Sequence, residues 1–372
     1  MTSTWAAPTA SGPLDALVEV PGSKSLSNRY LVLAALAAGP SRLRGVLDSR
    51  DTRLMAGALR ALGTSVTESE ADWLVSPGPL TGGVTVDCGL AGTVMRFLPP
   101  VAALADGLVR FDGDAQAYAR PMGPVLEALR ALGVRVDDHG EAGRLPFTVH
   151  GRGGLTGGSV DVDASGSSQF VSGLLLAAAR YAQGLTVRHI GPTLPSLPHI
   201  EMTVAVLRAA GVTVDDSRPG IWRVAPGAIA GRDVRVEPDL SNAAPFLASA
   251  LVAGGTVRVP GWPTTTTQPG ALLPGLLERM GGRSALTDGV LEVTGIGAVH
   301  GIDVDLRAAS ELAPTIAALA VLADSPTRLR GIAHMRGHET DRLAALATEI
   351  TARGGWAQQA SDGLGITPRP RS

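Results

Sequence analysis

Apolar residues recur at helical spacing in five similar stretches of the chain, and each stretch ends at a glycine. The apolar residues occupy positions i, i+3, i+4 and i+7, a spacing that places them on one face of a helix. Glycine readily adopts the left-handed conformation just past a helix C-terminus. The pattern predicts five amphipathic helices, in RLMAGALRALG, PVLEALRALG, MTVAVLRAAG, LLPGLLERMG and RLAALATEITARGG.

A second, more apolar helix is predicted ahead of each of these five. Each copy is rich in Ala and Leu and continues through a Gly or Asp turn into a segment typical of a strand. The final glycines of the amphipathic stretches stand about 70 to 78 residues apart, at Gly63, Gly133, Gly211, Gly281 and Gly354. This unit of helix, strand, helix, strand, strand is too long for a solenoid repeat and predicts a small α/β subdomain, five copies of which are visible.

The composition excludes several classes of protein. The 372 residues, 45% hydrophobic and 18% charged, suit a globular protein of about two domains. A net charge of −2 argues against a general nucleic-acid or membrane-surface binder, which needs a broad basic field. Cys88 is the only cysteine, and the seven histidines lack metal-ligand spacing. With no export signal and no apolar run of about 18 residues, we expect a cytoplasmic protein without a metal.

One lysine stands out in this composition. Lys24, in PGSKSLSNR, is the only lysine among 32 lysine and arginine residues. Arginine is a planar fork that keeps its proton, whereas lysine is a compact cation whose pKa can change. Lys24 is therefore either a chance survivor in an arginine-rich chain or a residue that contacts a small phosphorylated substrate. The polar neighbours of Lys24 favour the second interpretation.

Similar polar stretches precede the first helix of the repeats. They are PGSKSLSNR, DCGLAGTVMR, SGSSQF, EPDLSNAAPF and RAASELAPT. A helix N-terminus exposes free N–H groups and the positive end of the helix dipole, which bind phosphate or carboxylate. One such end is more often only a capped helix start, but several that converge would form a strong anion site.

A further set of polar residues precedes the second helices. It includes Arg120 in YARPMG, Ser196 in PSLPHIEM, and the HETDR stretch of MRGHETDRLAAL. Asp341 alone fits a capping residue. Four ionisable side chains within five residues exceed what a cap requires, so this segment is predicted to face a substrate.

The motifs PGSKSLSNRYLVLAALA, LAGTVMRF, RPM, SSQF and HETDRL, in this order, resemble the 5-enolpyruvylshikimate-3-phosphate synthase family. The resemblance implies a two-domain α/β fold, an inside-out α/β barrel of βαβαββ units with five of the usual six visible. It implies a lower domain at 22–232, mainly for shikimate 3-phosphate, and an upper domain at 1–21 plus 233–372. The family's sixth unit, with an H-R-M-A motif and a late lysine, has no counterpart after Arg342, so an upper domain incomplete at its C-terminus is expected.

The resemblance also implies the reaction. The family transfers the enolpyruvyl group of phosphoenolpyruvate to the 5-hydroxyl of shikimate 3-phosphate and releases phosphate, a step in aromatic amino-acid biosynthesis. No metal or organic cofactor is needed, the partners are the two small substrates, and a monomer is expected. Glyphosate, the family's inhibitor, competes with phosphoenolpyruvate; Leu90 and Phe97 replace a common Asn and Pro near that pocket, which leaves glyphosate sensitivity open.

Residue roles follow from the same resemblance. The reaction needs a base for the hydroxyl and an acid for the vinyl methylene. Glu311 is the expected base and Glu339 the acid/base at the methylene, with Lys24 as a third catalytic residue that contacts both substrates. Shikimate 3-phosphate would be held by Ser25, Arg29, Ser167, Ser168, Ser196, Glu311 and His338. Phosphoenolpyruvate would be held by Gly92, Thr93, Arg120, Gln169 and Arg342.

Two alternative functions remain open. A chain short of one unit would bind shikimate 3-phosphate without turnover. A UDP-N-acetylglucosamine enolpyruvyl transferase shares the fold, but it normally uses a loop cysteine and an A-K-N-type start, whereas Cys88 here precedes a helix and K-S-x-S-N-R is present. His199, His334 and His338 stand at or near positions where relatives carry Tyr, Asn and Lys, so the contacts to the shikimate ring are also open.

Overall fold

The structure, a computed structural model, describes residues 9–69, 72–337 and 340–368. Contacts divide these residues into two compact units. The three-repeat unit comprises residues 21–69, 72–237, 334–337 and 340–342; the two-repeat unit comprises residues 9–20, 238–333 and 343–368. The assignment of substrates to domains at 22–232 and at 1–21 plus 233–372 stays a prediction.

Each repeat supplies two helices, as the apolar spacing predicts. The first, more apolar helices are α1 (Lys24–Leu36), α3 (Gly92–Ala102), α5 (Gln169–Ala178), α7 (Leu240–Ala253) and α9 (Ala313–Ala320). The second, amphipathic helices are α2 (Arg50–Ala61), α4 (Gly123–Ala131), α6 (Leu197–Ala209), α8 (Leu273–Arg279) and α10 (Arg342–Ala352). Short 3-10 turns precede several of them, at Ala115–Ala119, Pro269–Leu272, Ser310–Leu312 and Ala333–Gly337.

Strands of two to seven residues connect these helices. In chain order they are β1 (Leu14–Leu17), β2 (Ser41–Arg44), β3 (Ser65–Glu68), β4 (Asp72–Ser76), β5 (Val84–Asp87), β6 (Asp106–Asp112), β7 (Val136–Asp138), β8 (Phe147–Arg152), β9 (Gly158–Val162), β10 (Leu185–His189), β11 (Val214–Asp215), β12 (Ile221–Val224), β13 (Asp233–Arg235), β14 (Gly255–Pro260), β15 (Arg283–Thr287), β16 (Val290–Gly295), β17 (Asp303–Asp305), β18 (Thr327–Arg330), β19 (Trp356–Gln359) and β20 (Leu364–Thr367).

The sheets of the described chain repeat one topology. In the three-repeat unit the strand orders are β13-β2-β4-β3, β5-β6-β8-β7 and β9-β10-β12-β11; in the two-repeat unit they are β1-β14-β16-β15 and β17-β18-β20-β19. In each sheet the first two strands are parallel and the remaining pairs are antiparallel. This regularity confirms the repeated α/β architecture expected from the sequence.

Two strands join a sheet far from their place in the chain. β13 pairs with β2, with Val234 opposite Leu43, and so completes the first sheet of the three-repeat unit. β1 pairs with β14, with Leu14 opposite Gly255, and completes a sheet of the two-repeat unit. The chain therefore leaves one unit after β1 and returns to it after β13.

Local sequence signals define the helix ends. Ser23 caps α1 by accepting a hydrogen bond from the Leu26 N–H, and Ser49 with Thr52 forms a capping box at α2. The glycine predicted after each amphipathic helix has positive φ in all five cases, for example 104° at Gly63 and 103° at Gly281. Residues with a Cβ rarely adopt a positive φ, so these values confirm the predicted C-caps.

The core of the three-repeat unit lies between its sheets and is built around α1, α3 and α5. Helices α3 and α5 approach each other closely at Gly173, where an added Cβ would stand 2.1 Å from the Arg96 carbonyl oxygen. Among the described residues, no helix is both long and apolar enough to cross a membrane.

Candidate active site

Lys24 lies at the start of α1 beside a carboxylate. It is the first residue of the helix, its side chain is 47% exposed, and its Nζ lies 3.3 Å from Oδ2 of Asp51 in the first turn of α2. A partly solvated ion pair adds little stability. What the ion pair does is place a hydrogen-bond acceptor, the Asp51 carboxylate, beside the Lys24 ammonium group. The sequence analysis did not single out Asp51. The available signal was an acidic residue in the first turn of α2, the second helix of its repeat.

The start of α3 forms a cradle lined by polar side chains. A Cβ added at Gly92 would stand 2.8 Å from Arg96 Nη1, 2.9 Å from Arg120 Nη2 and 3.0 Å from Gln169 Oε1. Arg120, which follows the 3-10 turn at Ala115–Ala119, donates from Nη1 to the Leu90 carbonyl at 2.7 Å. The structure thus brings together three residues that the sequence placed in separate motifs, namely Gly92, Arg120 and Gln169.

The chemistry of this cradle suits an anion. Arg96 and Arg120 are 2% and 7% exposed, so two guanidinium groups lie side by side with little solvent to screen them. Thr93 Oγ1 is buried without a hydrogen-bond partner in the described chain, and its hydroxyl can donate to an anion. A buried polar atom left unpaired is costly, which indicates a place where a ligand supplies the partner. Sequence analysis missed Arg96; its signal was a cation one turn into an otherwise apolar helix.

Arg29 is buried much more deeply than a residue at a substrate surface normally is. It is 1% exposed, and its guanidinium carbon lies 5.2 Å from the centre of the Phe97 ring. Burial lowers the pKa of Arg29 to about 9, so the side chain is still charged at neutral pH. It donates to the carbonyl of Ser25, one turn earlier in α1, at 2.8 Å.

The predicted phosphate residues lie at the starts of α5 and α6. Ser168 is the residue before α5 and is 5% exposed, and Ser167 Oγ accepts a hydrogen bond from the Gln169 N–H at 3.2 Å. Ser196, the residue before α6, has a left-handed conformation with φ of 53°. Such a conformation is uncommon outside glycine and is enriched at functional sites.

The family model described as EPSP synthase (3-phosphoshikimate 1-carboxyvinyltransferase) matches residues 8–371. This chain belongs to the EPSP synthase family. Two solved structures of EPSP synthase from Acinetobacter baumannii are each 25% identical to it, with TM-scores of 0.77 and 0.76. The first alignment covers 96% of this chain and 83% of that one, and the second covers 95% and 82%. The enolpyruvyl transferase NikO from Streptomyces tendae, at 18% identity, TM-score 0.73 and the same coverage as the first, is similar in fold.

Membership of the EPSP synthase family confirms the fold, the enzyme class and the reaction expected from the sequence motifs. The protein is a transferase of the shikimate pathway, and the family's substrates are shikimate 3-phosphate and phosphoenolpyruvate. The individual roles of its residues are a separate question.

The remaining candidate residues lie elsewhere in the chain. Glu311 lies in the 3-10 turn ahead of α9, in the two-repeat unit. Arg342 begins α10 and groups with the three-repeat unit, as does the ion pair between Arg336 and Asp341 at 3.3 Å. His338 and Glu339 lie outside the described residues.

The structure also shows the surroundings of His199 and Cys88, two residues named in the sequence analysis. His199 lies in α6, and its carbonyl accepts a hydrogen bond from Arg29 at 2.8 Å. Cys88 is fully buried, and burial raises the pKa of its thiol. A buried protonated thiol is a poor nucleophile, unlike the loop cysteine expected of a UDP-N-acetylglucosamine enolpyruvyl transferase.

Proposed function

We propose that this chain binds phosphoenolpyruvate in the cradle at the start of α3. The observation that carries the proposal is the convergence of Arg96, Arg120 and Gln169 on Gly92. Guanidinium groups bind carboxylate and phosphate oxygens through paired hydrogen bonds, which are stronger than neutral ones. The N–H groups at the start of α3 add to the same positive field, and Thr93 lies next to them.

Shikimate 3-phosphate would bind beside this cradle. We assign its anionic groups to the helix starts that carry Ser25, Ser168 and Ser196, with Ser167 next to Ser168 and the buried charge of Arg29 beneath them. Hydroxyls at helix N-termini, supported by a cation of low exposure, suit a phosphate monoester. The left-handed Ser196 supports this assignment because strained residues cluster at ligand sites.

The proton transfers follow the order that the reaction requires. Glu311 takes the proton of the 5-hydroxyl as its oxygen bonds to C2 of phosphoenolpyruvate, while C3 gains a proton from Glu339 or Lys24. The tetrahedral intermediate then loses a proton from C3, and the C2–O bond to phosphate breaks with its electron pair leaving on phosphate. We assign Lys24 the bridging of both anionic substrates, since a compact ammonium fits between them. Arg342 completes the proposed phosphoenolpyruvate contacts, and His338 those to shikimate 3-phosphate.

Phosphate release tests these assignments. Phosphate release by the purified chain is measured with shikimate 3-phosphate and phosphoenolpyruvate together and with each substrate alone. The blank is the Glu311→Ala variant, given both substrates. We expect release only with both substrates. Arg120→Gln should raise KM for phosphoenolpyruvate at least about 10-fold, because charged hydrogen bonds to the substrate are lost. The matched control is Arg53→Gln, whose arginine pairs with Asp48 on the exposed surface, and it should leave KM unchanged.

The other outcomes discriminate between the functions. Equal KM values in Arg120→Gln and Arg53→Gln would contradict the cradle assignment. Binding of shikimate 3-phosphate without phosphate release would favour the non-catalytic alternative. A rise in melting temperature with UDP-N-acetylglucosamine but not with shikimate 3-phosphate would favour the other enolpyruvyl transferase, because a ligand stabilises the state that binds it.

We also propose that the protein is cytoplasmic and monomeric. The support for a reducing compartment is the cysteine count: Cys88 is the only cysteine, so this sequence can form no intramolecular disulfide. Sedimentation of the purified chain tests the oligomeric state, and a concentration-dependent dimer would contradict a monomer.

A further inference from the structure

A polar cluster lies beneath the starts of α1, α5 and α6. We call Arg29, Ser172 and Thr203 the buried cluster; their exposed fractions are 1%, 0% and 0%. Arg29 comes from α1, Ser172 from α5 and Thr203 from α6. Each member thus belongs to a helix whose start carries residues that we assign to shikimate 3-phosphate.

Thr203 is the centre of this cluster. Its Oγ1 accepts a hydrogen bond from Arg29 Nε at 2.8 Å and lies 3.0 Å from both Ser172 Oγ and the His199 carbonyl. Arg29 Nη2 donates to the His199 carbonyl at 2.8 Å and to Ser172 Oγ at 3.4 Å. A guanidinium can only donate, so the Thr203 hydroxyl must accept from Arg29 and use its own proton toward Ser172 or His199.

These contacts hold the charge of Arg29 without neutralising it. Within residues 9–69, 72–337 and 340–368, Arg29 forms no ion pair, and the acceptors that bind it are hydroxyls and carbonyls. Neutral dipoles satisfy the N–H groups but leave a full positive charge in a region of low dielectric. An anion bound nearby would feel that charge strongly.

The cluster also fixes three helix starts relative to one another. Ser25 is one turn before Arg29, Ser168 one turn before Ser172, and Ser196 two turns before Thr203. Arg29 is bonded to the Ser25 carbonyl in its own helix and to Thr203 in α6. A change at Thr203 would therefore be felt at residues assigned to shikimate 3-phosphate.

We infer that Thr203 is a positioning residue for shikimate 3-phosphate: its hydroxyl orients Arg29 and aligns the starts of α1, α5 and α6. The inference rests on the proposed function, because the residues it aligns are those assigned there to this substrate. Thr203 itself is too deep to touch the substrate, since its side chain is fully buried.

The test compares hydroxyl loss with hydroxyl retention. Thr203→Val keeps nearly the same shape without the acceptor, and Thr203→Ser keeps the acceptor. Affinity for shikimate 3-phosphate is measured by titration calorimetry, and KM for each substrate by phosphate release. We expect Thr203→Val to weaken shikimate 3-phosphate binding about 10-fold or more, since a buried charged donor loses its partner. KM for phosphoenolpyruvate should change by less than about 3-fold, and Thr203→Ser should restore most of the affinity.

Thr327→Val is the matched control. Thr327 is 2% exposed, and its hydroxyl oxygen accepts a hydrogen bond from the Ile302 N–H at 3.2 Å in the two-repeat unit, away from the buried cluster. We expect this variant to lower the melting temperature without changing the affinity for shikimate 3-phosphate. A role of Thr203 in stability alone would make the two valine variants behave alike in binding.

Several results would overturn the inference. They are an unchanged affinity in Thr203→Val, an equal rise in both KM values, or a serine variant as weak as the valine variant. If Thr203→Val does not fold, Ser172→Ala decides: it removes the longer contact and should weaken shikimate 3-phosphate binding about 3-fold, and no change would overturn the inference. Failure of the proposed function is distinct, because the unmodified chain would then not bind shikimate 3-phosphate at all.

Discussion

The first helices of the repeats are more deeply buried in the three-repeat unit than in the two-repeat unit, where only about half of the residues of α7 are buried. Every residue of α3 in the three-repeat unit is buried, including Phe97 at 0% exposure. In the two-repeat unit, Phe246 and Val252 of α7 are 49% and 43% exposed, and Leu322, just past α9, is 47% exposed. The helices of both sets are mainly apolar, so composition does not explain the difference.

The number of neighbours explains it. In the three-repeat unit α1, α3 and α5 contact one another, so each first helix is covered on two sides. Within the described residues of the two-repeat unit, α7 has α9 as its one neighbour of this class. A first helix is apolar nearly all round, as expected of a helix that packs against another first helix on each of two sides. Burial is therefore a property of the assembled unit and not of the helix sequence.

The largest expected effect comes from replacing a phenylalanine by alanine in one first helix of each unit. Phe97→Ala should cost about 3–5 kcal/mol, because it leaves a cavity in a closed core. Phe246→Ala should cost less than about 1 kcal/mol, since much of that side chain already contacts water. Urea unfolding followed by circular dichroism measures both. An equal cost in the two variants would mean that the exposed face of α7 is covered in solution.

Two helical glycines give a smaller contrast. Gly173→Ala should destabilise the protein by about 1–3 kcal/mol, because the new Cβ would stand 2.1 Å from the Arg96 carbonyl oxygen and force α3 and α5 apart. Gly275→Ala in α8 of the two-repeat unit meets nothing within 4 Å. It should stabilise the protein by about 0.5–1 kcal/mol, because alanine favours the helix. The same unfolding measurement applies, and a Gly173→Ala variant as stable as Gly275→Ala would break the comparison.

The smallest effect concerns carboxylates on the surface of the two units. Asp137 in the three-repeat unit accepts hydrogen bonds from Arg135 and His150, which lower its pKa to about 2. In the two-repeat unit the pKa of Asp324 is lowered by hydrogen bonds from Ser325 and His300. A carboxyl whose folded pKa is depressed adds stability above its ordinary value near 3.8, and this contribution is lost as the pH falls toward 2.

Asp137→Asn should therefore lower the melting temperature slightly at pH 6, with the difference from the unmodified protein shrinking between about pH 4 and pH 2. The measurement is a series of melting curves over that range. Asp324→Asn is the counterpart in the two-repeat unit, where the same trend is expected. A difference that stays constant with pH would show that the hydrogen bonds to the ionised carboxylate are not its cause.

Much of the local structure could be predicted from the chain alone. The five C-cap glycines, the pairs of helices and the polar helix starts follow from spacing, because helix geometry depends on residues three or four positions apart. The family motifs also led to the correct enzyme class. Asp51 and Arg96 were missed, since each stands in a stretch whose local pattern has an ordinary explanation, a helix start for Asp51 and a core helix for Arg96.

The sequence by itself determined the repeat, its helix ends and the family of this protein, because these depend on short-range spacing and on motifs. Only the tertiary structure decided that β13 returns to β2, that Arg29 is bonded to Thr203, and that Gly92, Arg120 and Gln169 meet. The physical reason is the same in each case. Pairing, burial and charge proximity join residues far apart in the chain, and no local pattern encodes which of the similar repeats will lie next to each other.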